Sequence, residues 1–66
     1  MNEQEFDEFE RMLNDIKEMP EAAEMTAWEE GFMSDQYGRV EKYGSGVRIS
    51  DKQMAIIRRI HERLPL

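Results

Sequence analysis

Three helix-start signals constrain this chain more than any other feature. Asn2 stands three residues before Glu5, Thr26 three before Glu29, and Ser50 three before Gln53. In each, a side chain that can accept the orphan N–H of a first helical turn precedes a Glu or Gln that can reach back to the cap. Each signal opens onto apolar residues at helical spacing. No stretch shows the strict alternation of a half-buried strand, so the expected class is all-α, a small bundle of three to four helices.

The first helix is expected over 3–18. Phe6, Phe9, Leu13 and Ile16 recur at steps of three, four and three, with Met12 beside them, which draws one apolar stripe. Acids crowd its first turns, where the helix dipole favours them. Asp7–Arg11 and Arg11–Asp15 are candidate i,i+4 pairs. Pro20 stops the helix near Glu18. Residues 20–25 read either as one helical turn with Pro at its start or as plain linker. A second helix is expected over 27–37, with an extension to Lys42. Gly31 is read as room for a neighbouring helix, and Gly38 as a kink or an end. Gly44-Ser45-Gly46 is a flexible turn, and Val47–Ile49 is extended. The third principal helix spans 51–63, with Ile49 and Met54 as a hydrophobic staple and Pro65 beyond its end. Arg58 pairs with Glu62 along it. The expected core is Phe6, Phe9, Leu13, Ile16, Trp28, Phe32, Val40, Ile57, Ile60 and Leu64.

At 66 residues the chain is one small domain, 1–66, too short to wall off a deep dry pocket. That weighs heavily against catalysis. With no Cys there is neither disulfide, nor thiolate nucleophile, nor Cys-ligated metal. The single His61 has no second His at metal-binding spacing, and Ser34, Ser45 and Ser50 lie in no nucleophile elbow, so no enzyme and no cofactor are expected. Gly44-Ser45-Gly46 lacks the strand and lysine of a phosphate loop. No apolar run could cross a membrane, and the start Asn2-Glu3-Gln4-Glu5 is the reverse of a basic leader. A cytoplasmic setting is expected, with no membrane and no small-molecule substrate.

Charge directs the functional reading. The net charge of −6 divides unevenly. Residues 1–33 carry eleven acids and two bases, whereas residues 34–66 carry four acids and seven bases. Either the halves pack together and neutralise each other, or each meets an oppositely charged partner. Lys52, Arg59 and Arg63 share one edge of the last helix, with Arg48 just upstream, and form a candidate anion-binding stripe for nucleic-acid phosphates. The bland alternative is a solvated face that complements the helix dipole. On the first helix Glu3, Asp7 and Glu10 share a face, Glu8 and Asp15 are one heptad apart, and Glu3, Asp7, Glu8 and Glu10 are the candidate protein-binding residues. Such a row of carboxylates can imitate a phosphate backbone and occupy a basic groove on a protein partner, or it can be an ordinary solvated surface. Met12, Met19, Met25 and Met33 could instead supply a homodimer contact.

The pattern Thr26-x-Trp28-Glu29-x-x-Phe32, a glycine-containing turn, then Ile49-Ser50-Asp51-Lys52-Gln53 and an Ile-rich helix (Ile56, Ile57, Ile60) resembles the small helical accessory module that accompanies the UvsW recombination helicase of T4-type phages. The resemblance covers residues 25–63, and the acidic helix 3–18 lies outside it. It implies a compact helical fold that binds DNA or protein in replication and recombination, within the host cytoplasm. It further implies Trp28, Phe32 and Ile57 as core residues, and Lys52 and Gln53 at the exposed start of the last helix.

Overall fold

The helix-start signals are where the backbone turns helical. In a computed structural model, which describes residues 2–66, α1 spans Glu3–Glu18, α2 Pro20–Ala23, α3 Ala27–Tyr43 and α4 Asp51–His61. The Asn2 side chain accepts the Glu5 N–H at 2.8 Å. At α3 the Thr26 hydroxyl accepts from Glu29 N–H while Glu29 Oε1 accepts from Thr26 N–H, a reciprocal box that satisfies two orphan donors. Ser50 and Gln53 repeat it at α4.

α1 is the central helix, and both α3 and α4 pack against it. Its apolar stripe turns inward: Phe9, Met12, Leu13 and Ile16 are buried, with Phe6 half-buried at the edge. Ile57, Ile60 and Leu64 close on that stripe from the C-terminal side, and Met33 from α3. Pro20 lacks an N–H and opens the single turn of α2, whose end at Glu24 is left-handed (φ 47°). Ala23 from this turn is buried.

Several expectations are corrected. α3 runs to Tyr43, past Gly38, without a break. Gly38 points away from the core, where a Cβ would meet nothing within 4 Å, and inward-facing Gln36 and Val40 hold the helix on either side of it. A Cβ at Gly31 would likewise meet nothing within 4 Å among the described residues. The helix ends at Gly44, whose φ of +57° suits a residue without a Cβ. A 3-10 turn over Gly44–Gly46 follows, and it delivers Val47, only 3% exposed, into the core. α4 stops at His61, and looser turns carry the chain through Arg63 to Leu64. Trp28 is not a core residue: it is 64% exposed and stacks on half-buried Phe32, with ring centroids 5.4 Å apart. In its place Met33 and Gln36 fill the space beneath α3. Met12 and Met33 lie in the core, so they are not free for a homodimer contact.

Gln36 is the anomaly. It is fully buried, and neither its Oε1 nor its Nε2 has a hydrogen-bond partner. Such a group costs about 1–3 kcal/mol in a core that supplies only about 3–5 kcal/mol net.

Candidate functional site

The two halves of the chain neutralise each other in part. Glu8 meets Arg58 at 3.3 Å, Asp15 meets His61 at 2.8 Å, and Glu29 meets Arg63 at 2.8 Å. Each pair joins the acidic half to the basic half, and the first two fasten α1 to α4. Arg58 therefore reaches across to α1 rather than to Glu62, and Asp15 takes His61 rather than Arg11. His61 is a half-buried cross-helix contact. Ser50 is used as a cap, and Ser34 and Ser45 line separate depressions, so no serine stands beside the His61–Asp15 pair. Among the described residues no group of three or more His, Asp or Glu could hold a metal. Among the described residues no helix is long and apolar enough to cross a membrane.

The four cations read as an anion-binding stripe do not converge on one site. The Arg63 guanidinium donates to both Glu29 oxygens (2.9 and 2.8 Å) and to the Ala23 carbonyl (3.2 Å), clamping the chain beyond α4 to the α2–α3 corner. The forked geometry and the Thr26 N–H hold the Glu29 carboxyl at about 2, far below its ordinary 4.5. The same ion pair raises the Arg63 pKa. Arg59 stands over a shallow depression whose rim also carries Glu5, Glu8, Asp51 and Glu62, an acidic setting for any phosphate. Lys52 is exposed at the start of α4. Arg48 lies elsewhere, on a groove of about 870 Å³ along α3.

That groove joins Arg48 to two cations absent from the stripe, Arg39 and Lys42. Arg39 pairs with Asp35 at 3.0 Å, and the Lys42 ammonium lies over the Tyr43 ring at 5.3 Å. The i,i+4 spacing of Asp35 and Arg39 is visible in the chain. Their meeting with Arg48 depends on the Gly44–Gly46 turn, which folds residues 46–48 back beside α3.

The acidic set is arranged differently. Glu3, Asp7, Glu8 and Glu10 are all exposed on α1. Glu8 faces α4 and pairs with Arg58. Glu3, Asp7 and Glu10 share the face turned away from the core, and Glu18 continues their line two turns on. Among the described residues none of these four has a cation within 4 Å, whereas Glu8, Glu29 and Asp35 do. At about 1.5 Å rise per residue, the row spans about 22 Å. No protein-family model matches this chain, and no curated protein or solved structure matches it.

Proposed function

We propose that this is a non-enzymatic binding module that docks on a basic protein surface through the outer face of α1. One observation carries the reading: among the described residues Glu3, Asp7, Glu10 and Glu18 form a row with no cation within 4 Å, while Glu8 on the same helix is paired with Arg58. A fixed line of carboxylates on a helix held by two neighbours is pre-organised, so a cationic groove gains the contact at little ordering cost. The net charge of −6 steers the same encounter and repels polyanions at long range. The role is an adaptor, or an inhibitor that occupies a groove otherwise used by nucleic acid.

A second reading, contact with DNA phosphates, is favoured by Arg48, Lys52 and Arg59, which are exposed and have no carboxylate within 4 Å among the described residues. Arg63 adds little to it while clamped to Glu29.

The test runs a pull-down from host lysate beside a DNA titration at two salt concentrations. Stoichiometric recovery of one protein, lost in a variant carrying Glu3→Lys, Asp7→Lys and Glu10→Lys, supports the acidic face. Recovery unchanged by that variant refutes it. DNA affinity that falls steeply with salt and with Arg48→Glu and Arg59→Glu moves the function to the cationic side.

A further inference from the structure

The groove along α3 is cationic in a chain whose net charge is −6. Its walls carry Arg39, Lys42 and Arg48 against a single carboxylate, Asp35. The depression beside Arg59 carries four carboxylates against two arginines, and those along α1 hold at least as many acids as lysines and arginines. Asp35 is already matched by Arg39 at 3.0 Å. Lys42 and Arg48 are left over: both are exposed, and among the described residues neither has a carboxylate within 4 Å. They stand on opposite walls, Lys42 on α3 and Arg48 on the segment that the Gly44–Gly46 turn folds back beside it. The floor between them is bare. Gly38 presents no side chain, and a Cβ there would meet nothing within 4 Å.

We propose that this groove takes an acidic peptide segment of a partner protein. Its carboxylates meet Lys42 and Arg48, and its backbone lies close to α3 over Gly38, where no Cβ holds it off. From Gly31 to Tyr43 the groove follows α3 for twelve residues, about 18 Å, the span of about six extended residues. Charge selects an anionic occupant, and further observations favour a peptide over a nucleic-acid strand. Proteins that hold single strands offer rows of aromatic rings on which bases stack. Here Tyr43 stands at one end, and the Lys42 ammonium covers one face of its ring at 5.3 Å. Two unmatched cations suit a few carboxylates, whereas a strand brings a phosphate with every nucleotide, against which the net charge of −6 acts at long range. Arginine and tyrosine are also the side chains enriched where proteins meet proteins. The groove uses none of the acids on the outer face of α1, and the inference stands independently of what that face binds.

The probe is a blocked hexapeptide of alternating Glu and Ala, which in extended form sets its carboxylates on one side. It is titrated into the nitrogen-15-labelled chain to about 1 mM, a concentration that reaches weak contacts. The amides of Gly38, Lys42 and Arg48 should shift together, and the matching Lys–Ala peptide should leave them still. Lys42→Glu and Arg48→Glu should each weaken the peptide about fivefold or more. Gly38→Leu, for which the chain has room, should leave the melting temperature unchanged or higher and weaken the peptide as much. Glu3→Gln, Asp7→Asn, Glu10→Gln should bind at least as tightly as the parent. The proposal is overturned by no shift at the highest concentration, by shifts centred outside the groove, or by affinity that both Arg48→Glu and Gly38→Leu leave intact. A six-nucleotide thymidine strand that moves the same amides at lower concentration than the peptide would give the groove to nucleic acid. The same amides moving with protein concentration alone, alongside a rising mass, would give it to a second copy.

Discussion

Replacing Gln36 by Met should make the protein more stable. The Gln36 amide offers two donors and a carbonyl, is 0% exposed, and satisfies none of them. Leaving such a group unpaired costs about 1–3 kcal/mol. Met has similar length, no comparable hydrogen-bond demand, and enough torsional freedom to fill the same space beneath α3. The gain should therefore fall within that range, a large share of the total for so small a core. In a chain this size each kcal/mol moves the melting temperature by about 4–8 °C. Thermal melts followed by circular dichroism should show a rise of at least about 4 °C, and urea melts a higher midpoint at unchanged slope. Gln36→Ala should do the reverse, because the cavity outweighs the relief of the amide. The opposite signs separate polarity from volume. A Met variant that melts at or below the parent would refute the reasoning, since the amide must then have partners whose loss is what the melt records.

Four further outcomes follow from the same structure. Glu29 has its pKa lowered from 4.5 to about 2 by Arg63 and the Thr26 N–H, so its contribution is complete above pH 4.5 and is lost as pH falls toward 2; Arg63→Gln should reduce the stability change across that window in acid titrations followed by circular dichroism. Ile57→Ala removes a fully buried side chain and should cost about 2–5 kcal/mol, a large share of what so small a core supplies, read as a lower midpoint in urea melts. Glu24→Gly should stabilise by about 0.5–1 kcal/mol in urea melts, because Glu24 holds φ 47°, a region that penalises a Cβ. Ser50→Ala removes the cap of α4 and should cost about 1 kcal/mol by the same assay.

What could be read from the chain was what is local. Asn2, Thr26 and Ser50 act within three residues of themselves, and all three cap as expected. The stripe of α1 was legible because every apolar residue on that helix falls on one side. α3 was not, because its apolar residues circle the helix: Trp28 and Phe32 lie to one side, Met33 and Val40 to another. Which side faces inward is decided by α1, and spacing alone could not place Trp28 outside and Gln36 inside. Gln36 also escapes a search for apolar periodicity by being polar, although it lies three residues after Met33 and four before Val40, on the face that became buried. The long-range ion pairs were invisible for a similar reason. Arg63 looks like a free cation until the corner of α2 and α3 brings Glu29 to it, 34 residues away in sequence. Arg39 and Lys42 join Arg48 only after a turn of three residues has doubled the chain back.

The placement of α1 at the centre has a consequence for synthesis. Its apolar stripe is complete once Glu18 has been added, but α4, a principal cover for it, ends at His61. At about 5–20 residues per second the ribosome leaves that stripe waiting for about 2–9 s, far longer than a helix takes to form or a loop to close. Through that interval the nascent chain carries acids opposite its apolar stripe, and like charge on neighbouring copies opposes their association. The acids proposed to dock a partner in the finished protein are thus the same ones that charge the outer side of the stripe while the rest is being made.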